Sequence, residues 1–158
     1  MSENSSKTHF GPSNPSPEEN EQSKVKRYAS VIGLNPEQEL YYRELHSNVW
    51  PSILDQIKQA NLQNFSIHLT EIEGKKYLFS YYEYTGEDYE RDMSNMAKDP
   101  EMQRWWKETS SCQILLPGSR PEEPWKPMEM LFFHRSCRCS KKIVPSATPK
   151  EKKRAGFR

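Results

Sequence analysis

Apolar and polar residues follow patterns that predict a β-hairpin in the middle of the chain. Residues 64–69 alternate between apolar and polar side chains, and residues 77–84 are rich in aromatic ones, so both segments predict strands. The polar and glycine-containing residues 73–76 between them are typical of a turn. Upstream, residues 28–32 form a short apolar run that predicts a buried strand.

Helix signals lie between the first strand and the hairpin. Asn35 and Pro36 are a typical helix start, because an asparagine side chain caps free backbone N–H groups and proline fits the first helical position. This helix is predicted to run to about His46. Pro51 should kink or restart it, since the residue before a proline disfavours helical geometry.

Two further helices and a last strand complete the pattern. Residues 88–96 and 100–110 predict helices, residues 117–127 predict a loop rich in Pro, Gly and Glu, and residues 128–133 predict the final strand. The resulting order, β-α-β-β-α-β, is that of the ferredoxin-like split βαβ fold, which belongs to the α+β class.

Composition divides the 158 residues into one domain and two polar ends. Residues 1–25 are almost free of apolar side chains and cannot bury enough surface to offset the entropy of ordering, so they predict a disordered leader. Residues 136–158 are rich in Ser, Lys, Arg and Pro and predict a basic disordered tail. The predicted domain spans residues 26–135.

The net charge of +1 conceals an uneven distribution. Residues 135–158 carry nine Lys/Arg and one Glu, whereas residues 27–134 carry eleven basic and seventeen acidic side chains. Because the positive charge belongs to the tail rather than to a folded surface, we do not expect the domain to bind nucleic acid.

Targeting and cysteine patterns predict a cytoplasmic protein without a membrane partner. No apolar run approaches the roughly 18 residues of a membrane span, and the first thirty residues lack a signal-peptide core. The number of cysteines, three, is odd, and two of them lie in the predicted tail, which is not the pattern of a secreted disulfide framework. Cys137 and Cys139 follow His134, but their spacing is not that of a standard zinc site, so no metal site is predicted.

Candidate chemistry lies on two predicted helices. Tyr42 and His46 are four residues apart and therefore share a helix face, where an imidazole can exchange protons near neutral pH and a phenol can donate a hydrogen bond. Trp105 and Trp106 point about 100° apart, so one can face the core while the other reaches a pocket. By spacing alone, a solvated histidine beside core aromatic residues is the commoner arrangement.

Several segments in the same order resemble the L-rhamnose mutarotase family over residues 26–134. They are the opening strand, Tyr42-x-x-x-His46, His46-x-x-Val-Trp50-Pro51, Asn64-Phe-Ser-Ile, Gln103-Arg-Trp-Trp-Lys107 and the closing Glu129-Met-Leu-Phe-Phe. The resemblance implies a ferredoxin-like fold that pairs as a homodimer into a dimeric α/β barrel. It also implies an isomerase that interconverts the α and β anomers of L-rhamnose, a monosaccharide substrate, and no metal or organic cofactor.

The resemblance also implies roles for individual residues. The active-site histidine of the family falls on His46, its sugar-contacting tyrosine on Tyr42, and its paired tryptophans on Trp105 and Trp106. A second sugar-contacting tyrosine of the family falls on Phe65, which keeps the ring and lacks the hydroxyl.

Three other functions remain open at this point. Phe65 is consistent with a catalytically weak sugar-binding or scaffold protein on the same fold. The basic tail is consistent with an adaptor that binds a partner. A haem-dependent protein or an oxygenase of the same barrel superfamily is the third alternative.

Overall fold

The computed structural model of the protein describes residues 10–11 and 13–134. In chain order, the elements are helix α1 (Pro17–Glu21), strand β1 (Lys26–Leu34), a 3-10 turn (Pro36–Gln38), helices α2 (Glu39–Ser47) and α3 (Pro51–Gln59), strands β2 (Leu62–Ile72) and β3 (Lys75–Tyr84), helices α4 (Tyr89–Lys98) and α5 (Pro100–Ser111), and the short strands β4 (Gln113–Ile114) and β5 (Lys126–Pro127). Among these helices none is long and apolar enough to cross a membrane.

The strands form one antiparallel sheet in the order β2-β3-β1-β4, and β5 pairs with β1. This is the order of the ferredoxin-like fold, so the predicted α+β class is confirmed. The hairpin of β2 and β3 turns at Glu73 and Gly74, both with positive φ. The hairpin therefore ends where the sequence predicts its turn.

The helix breaks follow the predicted local chemistry. The Asn35 side chain accepts a hydrogen bond from the Glu37 backbone N–H at 3.1 Å, and Pro36 occupies the first position of the 3-10 turn that leads into α2. Helix α2 ends at Ser47, and Trp50, with φ −58° and ψ 134°, is extended immediately before Pro51 begins α3. The chain therefore changes direction between His46 and Trp50.

Alternate residues of the sheet face the helices and form the core. Ile32 and Leu34 of β1 and Leu78 of β3 are buried with Tyr42 of α2 and with Cys112. The neighbouring clusters are Ile53, Met102 and Trp105 between α3 and α5, and Ala60, Leu62 and Tyr84 beneath α3 and α4. The helices therefore cover one face of the sheet.

The predicted final strand, residues 128–133, is wrong. Residues 128–134 have no regular secondary structure, and the side chains of Leu131 and Phe132 are 67% and 68% exposed. Only Met128 extends the pairing of β5, by donating its backbone N–H to the Ala29 carbonyl at 2.8 Å. Pro127 offers no N–H to a ladder, and the β5 pairing with β1 is limited to Ser30 and Val31.

The ends of the chain bear on two other predictions. Residues 1–25, predicted as a disordered leader, include the short helix α1, and the division at residues 25 and 135 stays a prediction. The basic tail, residues 136–158, and with it the adaptor alternative, lies outside the described residues. Cys137 and Cys139 also lie there.

Candidate active site

Five residues singled out in the sequence line one cavity between the helices and the sheet. The cavity has a volume of about 470 Å³, and its walls include Tyr42, His46, Phe65, Trp105 and Trp106. Four of them, all but Trp106, also line an adjoining cavity of about 760 Å³. The fold therefore brings together side chains that are separated by up to 64 positions in the sequence.

His46 lies in the last turn of α2, with its imidazole partly buried. Its Nδ1 is 2.9 Å from the backbone carbonyl oxygen of Tyr42. Because a carbonyl oxygen can only accept, Nδ1 carries the hydrogen in this contact. The neutral ring then holds its lone pair on Nε2, which is the nitrogen able to take a proton from a ligand.

Burial changes the protonation of both members of the tyrosine–histidine pair. Burial lowers the pKa of His46 below its usual 6.5, while the hydrogen bond to the Tyr42 carbonyl acts in the opposite direction. Burial also raises the pKa of Tyr42 to about 12, and a hydrogen bond with the side chain of Gln113 opposes this rise. At neutral pH the site therefore holds a neutral imidazole base and a protonated phenol.

The aromatic rings hold His46 in place. Its ring stacks on that of Tyr42, with centroids 4.2 Å apart, and meets the edge of Trp105 at 5.3 Å. Trp105 in turn contacts Trp50 edge to face at 5.2 Å, and the Arg104 guanidinium lies 4.1 Å from the Trp50 ring centroid. Trp50 of the Trp-Pro segment thus packs against Trp105, the ring that contacts His46.

The paired tryptophans differ in their burial. Trp105 is 7% exposed and packs with Ile53 and Met102, whereas Trp106 is 40% exposed. Both line the 470 Å³ cavity. The two adjacent rings therefore differ in burial, as their positions on one helix predict, and their contact with a ligand stays a prediction.

A β-bulge in β2 directs Phe65 towards the cavity. Asn64 has a positive φ of 50°, and the pairing with β3 shifts between Gln63 and Ser66, so that one more residue lies on β2 than on β3. Such an extra residue bends the strand and re-aims its side chains. The Phe65 ring contacts Tyr82 at 5.3 Å and remains 42% exposed.

The structure adds lining residues that the sequence did not single out. Gln113 of β4 lies beside Tyr42, and Trp125 precedes β5 and packs on the sheet core. Ser30 of β1 and Ser80 of β3 also line the cavity. Gln113 and Trp125 come from segments without a distinctive pattern, and the pattern of a strand does not show which residues of another strand it faces, so only the fold places these residues at the cavity that His46 lines.

A metal centre finds no support in the part of the chain that the structure describes. Residues 10–11 and 13–134 contain no group of three or more His, Cys, Asp or Glu side chains placed to hold an ion. The cavity instead offers one imidazole, the carboxylate of Glu122, hydroxyl and amide groups, and aromatic walls. This arrangement suits proton transfer on a small polyhydroxylated ligand.

Comparisons with known proteins agree on one family. The family described as L-rhamnose mutarotase matches residues 27–134. The L-rhamnose mutarotase of Mesorhizobium japonicum is 32% identical over 109 residues, which cover 67% of this chain and 94% of that protein. The L-rhamnose mutarotase of Bacillus subtilis is 33% identical over 83 residues, covering 52% of this chain and 75% of that protein.

A solved structure supports the fold. The crystal structure of an L-rhamnose mutarotase from Formosa agariphila aligns with a TM-score of 0.53 at 22% identity, covering 70% of this chain and 99% of that chain. Because the family match spans more than half of the sequence and includes the elements that carry the site, the chain belongs to the L-rhamnose mutarotase family.

Proposed function

We propose that the protein is an isomerase that interconverts the α and β anomers of L-rhamnose or a related 6-deoxy sugar. The observation that carries the proposal is the environment of His46. Its Nδ1 donates a hydrogen bond to the Tyr42 carbonyl, and its ring lines a cavity with aromatic walls. Membership of the family supports the same reaction. The predicted place of action is the cytoplasm.

The proposed chemistry opens and recloses the hemiacetal. Nε2 of His46 takes the proton from the anomeric hydroxyl and delivers it to the ring oxygen O5, as the C1–O5 bond breaks to leave an aldehyde. Rotation about C1–C2 and reclosure of the ring give the other anomer. The reverse proton transfer leaves His46 in its starting protonation state. A positioned acid or base contributes about 10²–10⁴-fold to such a transfer.

The other cavity residues are proposed to bind and orient the sugar. Tyr42 stays protonated up to about pH 12 and can donate a hydrogen bond to a sugar oxygen. Trp105 and Trp106 offer flat apolar surfaces for the C–H face of the ring and for the 6-methyl group. The reaction requires neither electron transfer nor a stabilised carbanion, so the residues of the chain can perform it by proton transfer alone.

The pH dependence of exchange tests the assignment of His46 as the base. Because the pKa of His46 is lowered below 6.5, the imidazole is neutral, and able to act as a base, at every pH above that lowered pKa. We expect the protein-dependent exchange rate of L-rhamnose anomers to rise with pH through that value and to level off by pH 7. NMR exchange measurements from pH 4.5 to 8, corrected for buffer catalysis at each pH, would show this rise of the rate. A rise with its midpoint above pH 6.5 would contradict the assignment.

A sugar-binding protein without appreciable exchange is the second candidate. Phe65 favours it, because this ring lines the cavity without the hydroxyl of the family tyrosine. Loss of one hydrogen bond to a neutral hydroxyl weakens an interaction by about 0.5–1.5 kcal/mol. That cost is small beside the contribution of a general base, so we retain mutarotation as the proposed function.

We infer a homodimer from the face of the sheet that the helices leave open. Tyr77, Phe79 and Tyr81 project from β3 on the side opposite to Leu78 and Ser80 and are only partly buried in the single chain. An aromatic face of this kind is typical of a contact between subunits. A second copy of the chain would cover it with closed two-fold symmetry.

A charge on this face should separate the subunits. We expect wild-type protein to sediment at twice the chain mass of 18.6 kDa, and Phe79→Lys to shift it towards the monomer. Leu40→Lys is the control, since Leu40 lies on α2 with 82% exposure. A wild-type monomer at micromolar concentration would contradict the proposal.

A further inference from the structure

The hydroxyl of Tyr42 has a partner on β4, at the edge of the sheet. Gln113 of β4 stands opposite Leu34 in the register with β1. Leu34 and Cys112, the residue before Gln113, belong to the same buried cluster as the Tyr42 ring. This placement brings the Gln113 side chain to the Tyr42 hydroxyl, with which it forms a hydrogen bond. Both side chains line the 470 Å³ cavity, so the bond lies at the wall of the candidate active site.

The polarity of this hydrogen bond decides what the Tyr42 hydroxyl can offer a ligand. A phenol carries one hydrogen, whereas a glutamine amide can donate through its NH₂ group or accept through its carbonyl oxygen. An accepting carbonyl would use the phenol hydrogen within the protein. A donating NH₂ group occupies a lone pair of the phenol oxygen instead, and the phenol hydrogen stays available for a ligand.

Other tyrosines of the chain show the opposite arrangement. Tyr41, Tyr81 and Tyr84 each donate the hydroxyl hydrogen to a carboxylate, and none of the three lines either cavity. Tyr42 lines both cavities, and its partner is an amide, which is able to donate. In the part of the chain that the structure describes, no carboxylate takes the Tyr42 hydrogen.

The acidity of Tyr42 agrees with donation by the amide. Burial raises the pKa of Tyr42 to about 12, and the hydrogen bond with Gln113 opposes that rise. A donor to the phenol oxygen has this effect because it stabilises the phenolate, whereas an acceptor of the phenol hydrogen stabilises the neutral form.

We propose that Gln113 is a positioning residue for the sugar, because its amide N–H donates to the Tyr42 oxygen and leaves the Tyr42 hydrogen for a sugar oxygen. The inference rests on the proposed function, in which Tyr42 binds the sugar beside His46. The rings of Tyr42 and His46 stack with centroids 4.2 Å apart, so a sugar oxygen bonded to the phenol lies next to the imidazole base. Gln113 acts through Tyr42 and does not contact the reacting atoms.

A pair of substitutions tests whether Gln113 acts through Tyr42. Gln113→Met keeps an unbranched side chain of similar length and removes the N–H donor. Tryptophan fluorescence gives the Kd for L-rhamnose, since Trp105 and Trp106 line the cavity. We expect Gln113→Met to raise this Kd about 2- to 10-fold, the ratio for one neutral hydrogen bond. In the Tyr42→Phe background the same substitution should leave the Kd unchanged, because no hydroxyl remains to be oriented.

A second variant and a control separate positioning from a structural role. Gln113→Glu keeps the shape but presents a carboxylate, which accepts the Tyr42 hydrogen instead of donating to the oxygen. It should raise the Kd at least as much as Gln113→Met, whereas a need for any polar side chain at this edge would tolerate it. Gln59→Met is the matched control and should bind as wild type, because Gln59 is exposed at the end of α3 and lines neither cavity.

The outcomes distinguish this inference from the proposed function. Equal rises of the Kd on Gln113→Met with and without the Tyr42 hydroxyl would overturn the positioning role, and so would a wild-type Kd in both Gln113 variants. Failure of the proposed function has a different signature, which is sugar binding by wild-type protein without any protein-dependent anomer exchange. The Kd comparison would still decide the role of Gln113 in that case.

Discussion

Replacing His46 with alanine is expected to lower the protein-dependent exchange rate of L-rhamnose anomers by about 10²–10⁴-fold. The imidazole is the neutral base in the cavity, and Nδ1 is held by the Tyr42 carbonyl so that Nε2 can accept the proton. Alanine leaves the aromatic walls of Tyr42 and Trp105 in place but removes the group that is proposed to move the proton. The measurement is exchange NMR at pH 7.5 with substrate in excess.

Two comparisons make the result specific to His46. His134→Ala should exchange at the wild-type rate, since His134 is exposed and lines neither cavity. The His46→Ala protein should still quench tryptophan fluorescence on adding sugar, because the indoles remain. An His46→Ala protein that exchanges as fast as wild type would remove His46 from the mechanism.

Replacing Trp105 with alanine is expected to cost about 3–5 kcal/mol of unfolding free energy, the range for truncating a buried tryptophan. Its ring is 7% exposed and contacts Ile53, Met102 and Trp50. Removal would leave a large void between α3 and α5 and free the edge against which His46 rests. Urea denaturation gives the free-energy difference, and exchange NMR gives the accompanying loss of activity.

The neighbouring tryptophan should separate stability from binding. Trp106 is 40% exposed, so Trp106→Ala should change the unfolding free energy by only about 0.5 kcal/mol. It should instead raise the KM for the sugar, because the ring is a wall of the cavity. Equal losses of stability in the two variants would show that the indoles do not divide between core and ligand as proposed.

Much of this fold follows from local rules. Prolines at positions 36, 51 and 100 each stand at the start of a helical segment, as their missing N–H and fixed φ dictate. The alternation in β2 and β3 gave the hairpin. Residues 128–133 misled because an apolar pattern reveals side chains that favour burial, but not whether their backbone pairs with a strand. Strands β4 and β5 are too short to leave a periodic signal.

Of the residues that line the cavity, the sequence predicted only those that belong to its motifs. Tyr42 and His46 come together through helical spacing, whereas Trp105 reaches them from a helix about sixty positions away. Phe65 reaches the cavity through a bulge that depends on the positive φ of Asn64. Ser30 and Ser80 meet through the register of β1 and β3, although 50 positions separate them in the sequence. Register and bulges depend on how two strands pair, so they cannot be predicted from the sequence of one strand alone.

Saturation-transfer NMR on L-rhamnose tests the central claim most directly. Irradiating one anomeric proton and observing the other measures exchange at equilibrium, without a coupled reaction. The account predicts that added wild-type protein raises the exchange rate above the buffer rate in proportion to its concentration at pH 7.5. An exchange rate that stays at the buffer value, with sugar binding confirmed by fluorescence in the same sample, would contradict the assignment of mutarotase activity.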